Sequence, residues 1–134
     1  SPGARGLVKR RWVVSRHDVK PGETHWDFMV ERGEMLATFK LSGPLAAAPV
    51  EGTRSFDHRR VYLEYEGEIS GGRGQVRIVE RGELSDVVGD PDSPAWTFTI
   101  GAKVLVIANE GGRVRLEEKP EARSQTPEAR GSSL

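Results

Sequence analysis

The sequence contains no cysteine, which excludes disulfide cross-links, thiolate metal sites and thiol nucleophiles. It also lacks any apolar run near the roughly 20 residues that span a bilayer. No signal peptide is read in it, so the expected location is cytoplasmic. Neither sign of charge prevails: 20 Lys and Arg offset 20 Asp and Glu, and net charge supplies no argument for nucleic acid. Long helices are not foreshadowed, because 16 glycines and 8 prolines in 134 residues make turns frequent. Histidine is scarce as well, with His17, His25 and His58 the whole supply.

What is present reads as strands. Arg11 to Val14 is β-branched and aromatic, and Lys20-Pro21-Gly22-Glu23 has the residues of a type II turn. Trp26 to Glu31 alternates, with Trp26, Phe28 and Val30 on one face and His25, Asp27 and Met29 on the other. A hairpin at 31–34 leads to a return strand from Met35 to Leu41. Leu45 to Phe56 is expected to be a long loop with at most one helical turn. Val61 to Glu66 reads as a strand, Gly67 to Gly74 as a glycine-rich turn, and Gln75 to Arg81 as a strand turned by Arg81-Gly82. Leu84 to Val88 continues the sheet. Trp96 to Ile100, Lys103 to Ala108 and Arg113 to Glu117 complete a meander. The expected fold is all-β and mainly antiparallel: a compact β-barrel of about eight short strands with at most a short helix. One domain over 10–118 follows a flexible lead-in (1–9) and precedes a tail (119–134) whose composition predicts disorder.

The chemistry gathers around three short segments. His25 and Asp27 project from one strand face, and His17 arrives from the preceding apolar run across the Pro21-Gly22 turn. Two imidazoles and a carboxylate suit a divalent metal with positions left open for water or substrate. His58 and Tyr62 are four residues apart and could share a pocket. With Arg54, Arg59 and Arg60 nearby, they have the makings of a phosphate clamp. The basic residues Arg5, Lys9, Arg10, Arg11, Arg16 and Lys20 against Asp18 would add a basic footprint if they met in space. The segment GEISGGRG lacks the spacing of a phosphate-cradling P-loop and reads as a turn. His25, Asp27 and a distal His58 also mimic the two-His-one-carboxylate triad of non-haem iron oxygenases, although His17 would then have no role.

In order, RWVVSRHD, HWDFMVE, a strand ending at Gly43-Pro44, and DHRRVYLEYEGEISGGRGQV resemble the 3′-phosphoesterase domain of bacterial DNA ligase D and its stand-alone homologues. The resemblance runs from about Arg11 to about Glu118 and rests on the ordered combination rather than any one piece. It implies a compact β-barrel holding Mn²⁺ or another divalent transition metal. It also implies a hydrolase that removes 3′-phosphates or 3′-terminal ribonucleosides during repair by end joining. Carried over by position, His17, His25 and Asp27 match the metal ligands, and His58 and Tyr62 match residues that contact the phosphate. The implied partners are 3′ ends of DNA or RNA/DNA strands and a separate ligase or polymerase, with the protein itself a monomer.

The chain departs from this pattern at identifiable places. The spacer between His17 and His25 is longer than the family's, and the Pro21-Gly22 turn absorbs the insertion. Met29 stands where the family has an essential Arg, Ser42 where a Lys precedes the Gly-Pro, and Val50 where a basic residue lies upstream of the phosphate His. Arg54 and Arg60 are the candidates to supply the missing guanidinium. The alternative expectation is a catalytically weakened module that binds DNA ends and recruits a ligase or polymerase.

Overall fold

The computed structural model describes residues 9–120. Nine strands account for most of them: β1 (Lys9–Lys20), β2 (Glu23–Arg32), β3 (Met35–Leu41), β4 (Val50–Arg59), β5 (Gly67–Glu68), β6 (Gln75–Val88), β7 (Ala95–Ile100), β8 (Lys103–Glu110) and β9 (Arg113–Glu118). Two single turns of 3-10 helix, Leu45–Ala47 and Arg60–Leu63, interrupt the series. All pairings are antiparallel, in the order β1-β2-β3-β4-β9-β8-β7-β6-β5. An additional β1–β6 pairing joins the ends of this row, so eight strands form a closed ring and β5 lies as a short flap along β6. The all-β, mainly antiparallel class expected from the sequence is the class observed. Among the described residues no helix is long and apolar enough to cross a membrane. Of the expected lead-in (1–9) and tail (119–134), residues 1–8 and 121–134 lie outside the described residues. Lys9 already belongs to β1, and the Lys119 N–H still donates to the Val104 carbonyl at 2.7 Å.

Strand alternation sends one set of side chains into the ring. Trp12, Val14, Phe28, Val30, Phe39, Leu41, Trp96, Phe98 and Leu116 belong to this interior cluster. Phe28, Phe39 and Trp96 stack with centroids 6.0 to 6.4 Å apart. The one polar atom of Trp96, Nε1, donates to Asp86 at 2.8 Å. Burying each such ring contributes about 1.5–3 kcal/mol. The interior is filled, so the polar residues of β1 and β2 face outward. There a second, smaller cluster of Val13, Met29, Leu36 and Leu63 covers part of the outer face.

Three local expectations are corrected. Residues 50–56 are not a loop: β4 begins at Val50 and pairs with β9 on one side and β3 on the other. Its polar, glycine-containing sequence conceals a strand whose stability comes from two neighbours distant in the chain. The segment from Val61 is not a strand but a turn of 3-10 helix, in which Val61 O accepts from the N–H groups of Glu64 (3.1 Å) and Tyr65 (3.0 Å). The chain must fold back over β1 and β2 here, and the turn drops Leu63 into the outer cluster. Arg81-Gly82 is not a turn: β6 runs unbroken through it, and Gly82 lies opposite Trp12. A Cβ at Gly82 would stand 3.3 Å from the Trp12 indole, so the glycine makes room for the ring.

Candidate metal centre and adjoining cleft

His17 and His25 are direct cross-strand partners in the β1–β2 ladder, and Ser15 is opposite Asp27. All four therefore project from the same outer face. Ligand atoms of His17, His25 and Asp27 lie within 4.8 Å of one another. His17 Nδ1 is 3.9 Å from Asp27 Oδ2, and His25 Nε2 is 3.2 Å from Asp27 Oδ1. His17 Nε2 lies 2.7 Å from the Arg73 carbonyl. A carbonyl can only accept, so Nε2 carries a proton and Nδ1 is the ring nitrogen that faces Asp27. That is how a backbone oxygen orients a ligating histidine.

The donor set fits a divalent cation. Asp27 is only 6% exposed, and among the described residues no Lys or Arg comes within ion-pairing distance of it. A buried carboxylate bounded by imidazoles is stabilised by a cation between them. Bonds of about 2.0–2.2 Å keep one ion's ligands within roughly 4.4 Å of each other, so a small closure completes the set. Ser15 adds an independent sign of a missing partner. It is 2% exposed and its Oγ has no hydrogen-bond partner among the described residues.

A cleft of about 290 Å³ opens beside this group. Its floor is Ser15, His17, Asp27, Met29 and Val76, and its roof comes from Phe56 to Arg59, Tyr62, Ile69 and Arg73. His25 lies outside its lining. Two register shifts flank the cleft. In the β1–β6 ladder Val14 faces Glu80 but Ser15 faces Ile78, and in the β3–β4 ladder Leu36 faces His58 but Thr38 faces Ser55. The second gives β4 one extra residue. Without it, the alternation that carries Val50 into the interior would carry Phe56 and His58 inward too. Bulges re-aim side chains in this way beside functional sites.

On the roof, His58 Nδ1 donates to the Phe56 carbonyl at 3.0 Å, leaving Nε2 as the free ring nitrogen. The His58 ring stacks on Phe56 (4.7 Å, 10° between planes) and meets Tyr62 edge-on at 5.8 Å. Arg59 lies over the Tyr62 ring at 5.9 Å. Arg73 reaches the cleft because Gly74 permits a close approach. Its φ is +87°, and a Cβ there would sit 1.9 Å from the Asp18 carbonyl oxygen. The glycine-rich segment is thus a turn that delivers Arg73 to His17.

The arginines singled out from the sequence are placed differently. Arg54 follows the inward alternation and lies over Phe39 at 5.5 Å. Its guanidinium binds Asp92 at 2.9 Å and Asp57 at 3.2 Å. Hydrogen bonds from Arg32 and then Arg54 hold the Asp92 carboxyl below its ordinary value, against the opposing effect of burial. Arg60 pairs with Glu31 outside the cleft. Burial pushes the Glu31 carboxyl up, but the Arg11 N–H and Arg60 outweigh it and hold it low. Arg10, Arg11, Arg16 and Lys20 are likewise paired with Asp86, Glu64, Asp18 and Glu23, so the amino-terminal basic run is largely neutralised. Arg5 lies outside the described residues. Among the described residues, neither Arg59 nor Arg73 makes an ion pair, and both residues line the cleft. The Arg73 guanidinium donates from Nε to the Ser70 carbonyl at 2.7 Å and from Nη2 to the Ser70 hydroxyl at 3.3 Å. Arg59 stands with Arg54 and Arg60 beside His58 in the sequence, but no local pattern distinguishes Arg73 from the chain's other arginines. Ser15 lies beyond Val14, where the first strand was expected to end, and nothing in the sequence singles it out.

His58 is not among the residues whose ligand atoms converge, so the iron-type triad built on His25, Asp27 and His58 is not the cluster that forms among the described residues. In comparisons with known proteins the chain matches no family model and no curated sequence.

Proposed function

We propose that this protein is a metal-dependent phosphoesterase that removes 3′-phosphates or 3′-terminal ribonucleosides from DNA or mixed RNA/DNA ends. The observation that carries the reading is the cleft itself. It sets His17 and Asp27 from one part of the chain against His58 and Tyr62 from another, with Arg59 and Arg73 beside them. His17 Nδ1, His25 Nε2 and an Asp27 oxygen would hold the ion, with Mn²⁺ the first choice for this nitrogen–oxygen set. When bound, such an ion polarises a phosphoryl oxygen and lowers the pKa of a coordinated water. His58 in its protonated form, through Nε2–H, and the Tyr62 hydroxyl then donate to phosphate oxygens and stabilise charge as it develops. Arg59 and Arg73 supply the guanidiniums that Met29, Ser42 and Val50 do not, replacing the Arg54 and Arg60 roles expected from the sequence. Removing a terminal ribonucleoside leaves a 3′-phosphate on the strand, and removing that phosphate gives the 3′-hydroxyl end that a ligase or polymerase consumes.

A labelled primer-template bearing a 3′-phosphate, incubated with Mn²⁺, tests this reading. Dephosphorylation is expected, and His17→Ala or Asp27→Ala should abolish it. No product, or product that survives both substitutions, would overturn the proposal. The apolar Met29 in the cleft floor favours one second reading, an end-binding module without turnover. Salt-sensitive binding to 3′-phosphate ends with no reaction under any divalent metal would establish it.

A further inference from the structure

Phe56 is 75% exposed and belongs to neither apolar cluster. Its contribution to the fold is therefore small, yet its orientation is well defined. The extra residue in β4 turns it outward, and His58 stacks flat against one face of its ring at 4.7 Å. The rest of the ring is open at the rim of the cleft. Arg59 and Arg73 also line the cleft, and neither has a carboxylate partner among the described residues; Arg59 lies over Tyr62, while Arg73 donates to Ser70 and keeps its charge. Asp57, the carboxylate at this rim, is held by Arg54 at 3.2 Å. An open aromatic face next to groups that attract anions matches a nucleotide, which carries a flat π-system one sugar away from its phosphate.

We infer that Phe56, backed by His58, is a stacking platform for the terminal nucleobase of the strand whose phosphate enters the cleft. This deepens the proposed function and rests on it. Stacking tolerates every base, so the platform would grip an end without reading its sequence. It also gives the chain a hold on the terminal nucleoside at a site that does not depend on Met29.

Fluorescence anisotropy with the full chain, without added metal so that the 3′-phosphate is not removed during the measurement, tests the platform. Three oligonucleotides are compared: a 3′-phosphate on an ordinary terminal nucleoside, a 3′-phosphate on a terminal abasic site, and a 3′-hydroxyl. Phe56→Ala should weaken binding of the first by about ten-fold or more and leave the abasic probe nearly unchanged. Phe56→Trp should retain the preference for a base. Terminal 2-aminopurine should lose fluorescence on binding to the wild type but not to Phe56→Ala. Equal wild-type affinity for base-bearing and abasic ends, or equal weakening of both by Phe56→Ala, would overturn the platform while leaving the phosphoesterase reading intact. Absence of any preference for 3′-phosphate over 3′-hydroxyl would instead overturn the end-processing reading. The base-versus-abasic contrast would still decide the platform.

Discussion

A buried hydroxyl without a hydrogen-bond partner costs about 1–3 kcal/mol, and Ser15 is such a group at the edge of the metal centre. Because it is opposite Asp27 in the β1–β2 ladder, its natural partner is a water or phosphate oxygen held at the site. Ser15→Ala should therefore stabilise the metal-free protein by roughly 1 kcal/mol while weakening its stabilisation by added Mn²⁺. Thermal melts with and without the ion measure both effects. A variant that loses stability equally in the two conditions would mark Ser15 as a packing residue only. The face carrying His25 and Asp27 was legible in the sequence, since alternation in a strand is local, whereas Ser15 and His17 lie past Val14, where the first strand was expected to end. The missing partner of Ser15 was not legible either, because hydrogen-bond satisfaction depends on every neighbour.

At the scale of elements, the glycine-rich turn between β5 and β6 acts on the metal centre from a distance of 56 residues along the chain. Gly74 allows the Arg73 carbonyl to reach His17 Nε2, and a side chain there would collide with the Asp18 carbonyl. Gly74→Ala should lower Mn²⁺ affinity by about 10- to 100-fold, as losses of groups that orient a ligand do. Gly72→Ala is the control. It shares a positive φ (+68°), but nothing lies within 4 Å of its Cβ. Isothermal titration of both variants would separate the two, and equal losses would show that turn strain alone is responsible. The sequence identified the turn correctly and missed its task, because the contact it makes is across the sheet.

For the molecule as a whole, Asp92 links Arg32 at the end of β2 to Arg54 on β4, and Arg54 in turn holds Asp57 at the cleft. The Asp92 carboxyl is held below 3.8, first by the hydrogen bond from Arg32. A depressed folded-state value means that the stabilisation is present above the unfolded value of about 3.9. It is lost as pH falls through the folded value. The pair is half exposed, so its contribution is under about 1 kcal/mol. The urea midpoint of Asp92→Asn should lie below that of the wild type at pH 7, with the gap narrowing as pH falls from about 5 to about 2. A gap that stays constant over this range would show that charge plays no part.

Local chemistry by itself determined that this chain is β-rich and antiparallel, that it turns at Pro21-Gly22, at 31–34 and in the glycine-rich segment before β6, and that His25 and Asp27 share a strand face. Those features follow from a period of two and from backbone preferences, which act between neighbours. Tertiary structure decided the rest. The β1–β6 pairing closed the ring and filled its interior with aromatic rings, which left the outer face for chemistry. One extra residue in β4 reversed the alternation and turned Phe56 and His58 toward the metal ligands, while Arg54, before the shift, stayed with the interior. Register and charge pairing are set by segments far apart in the chain, so the identity of the arginines at the cleft is a property of the fold.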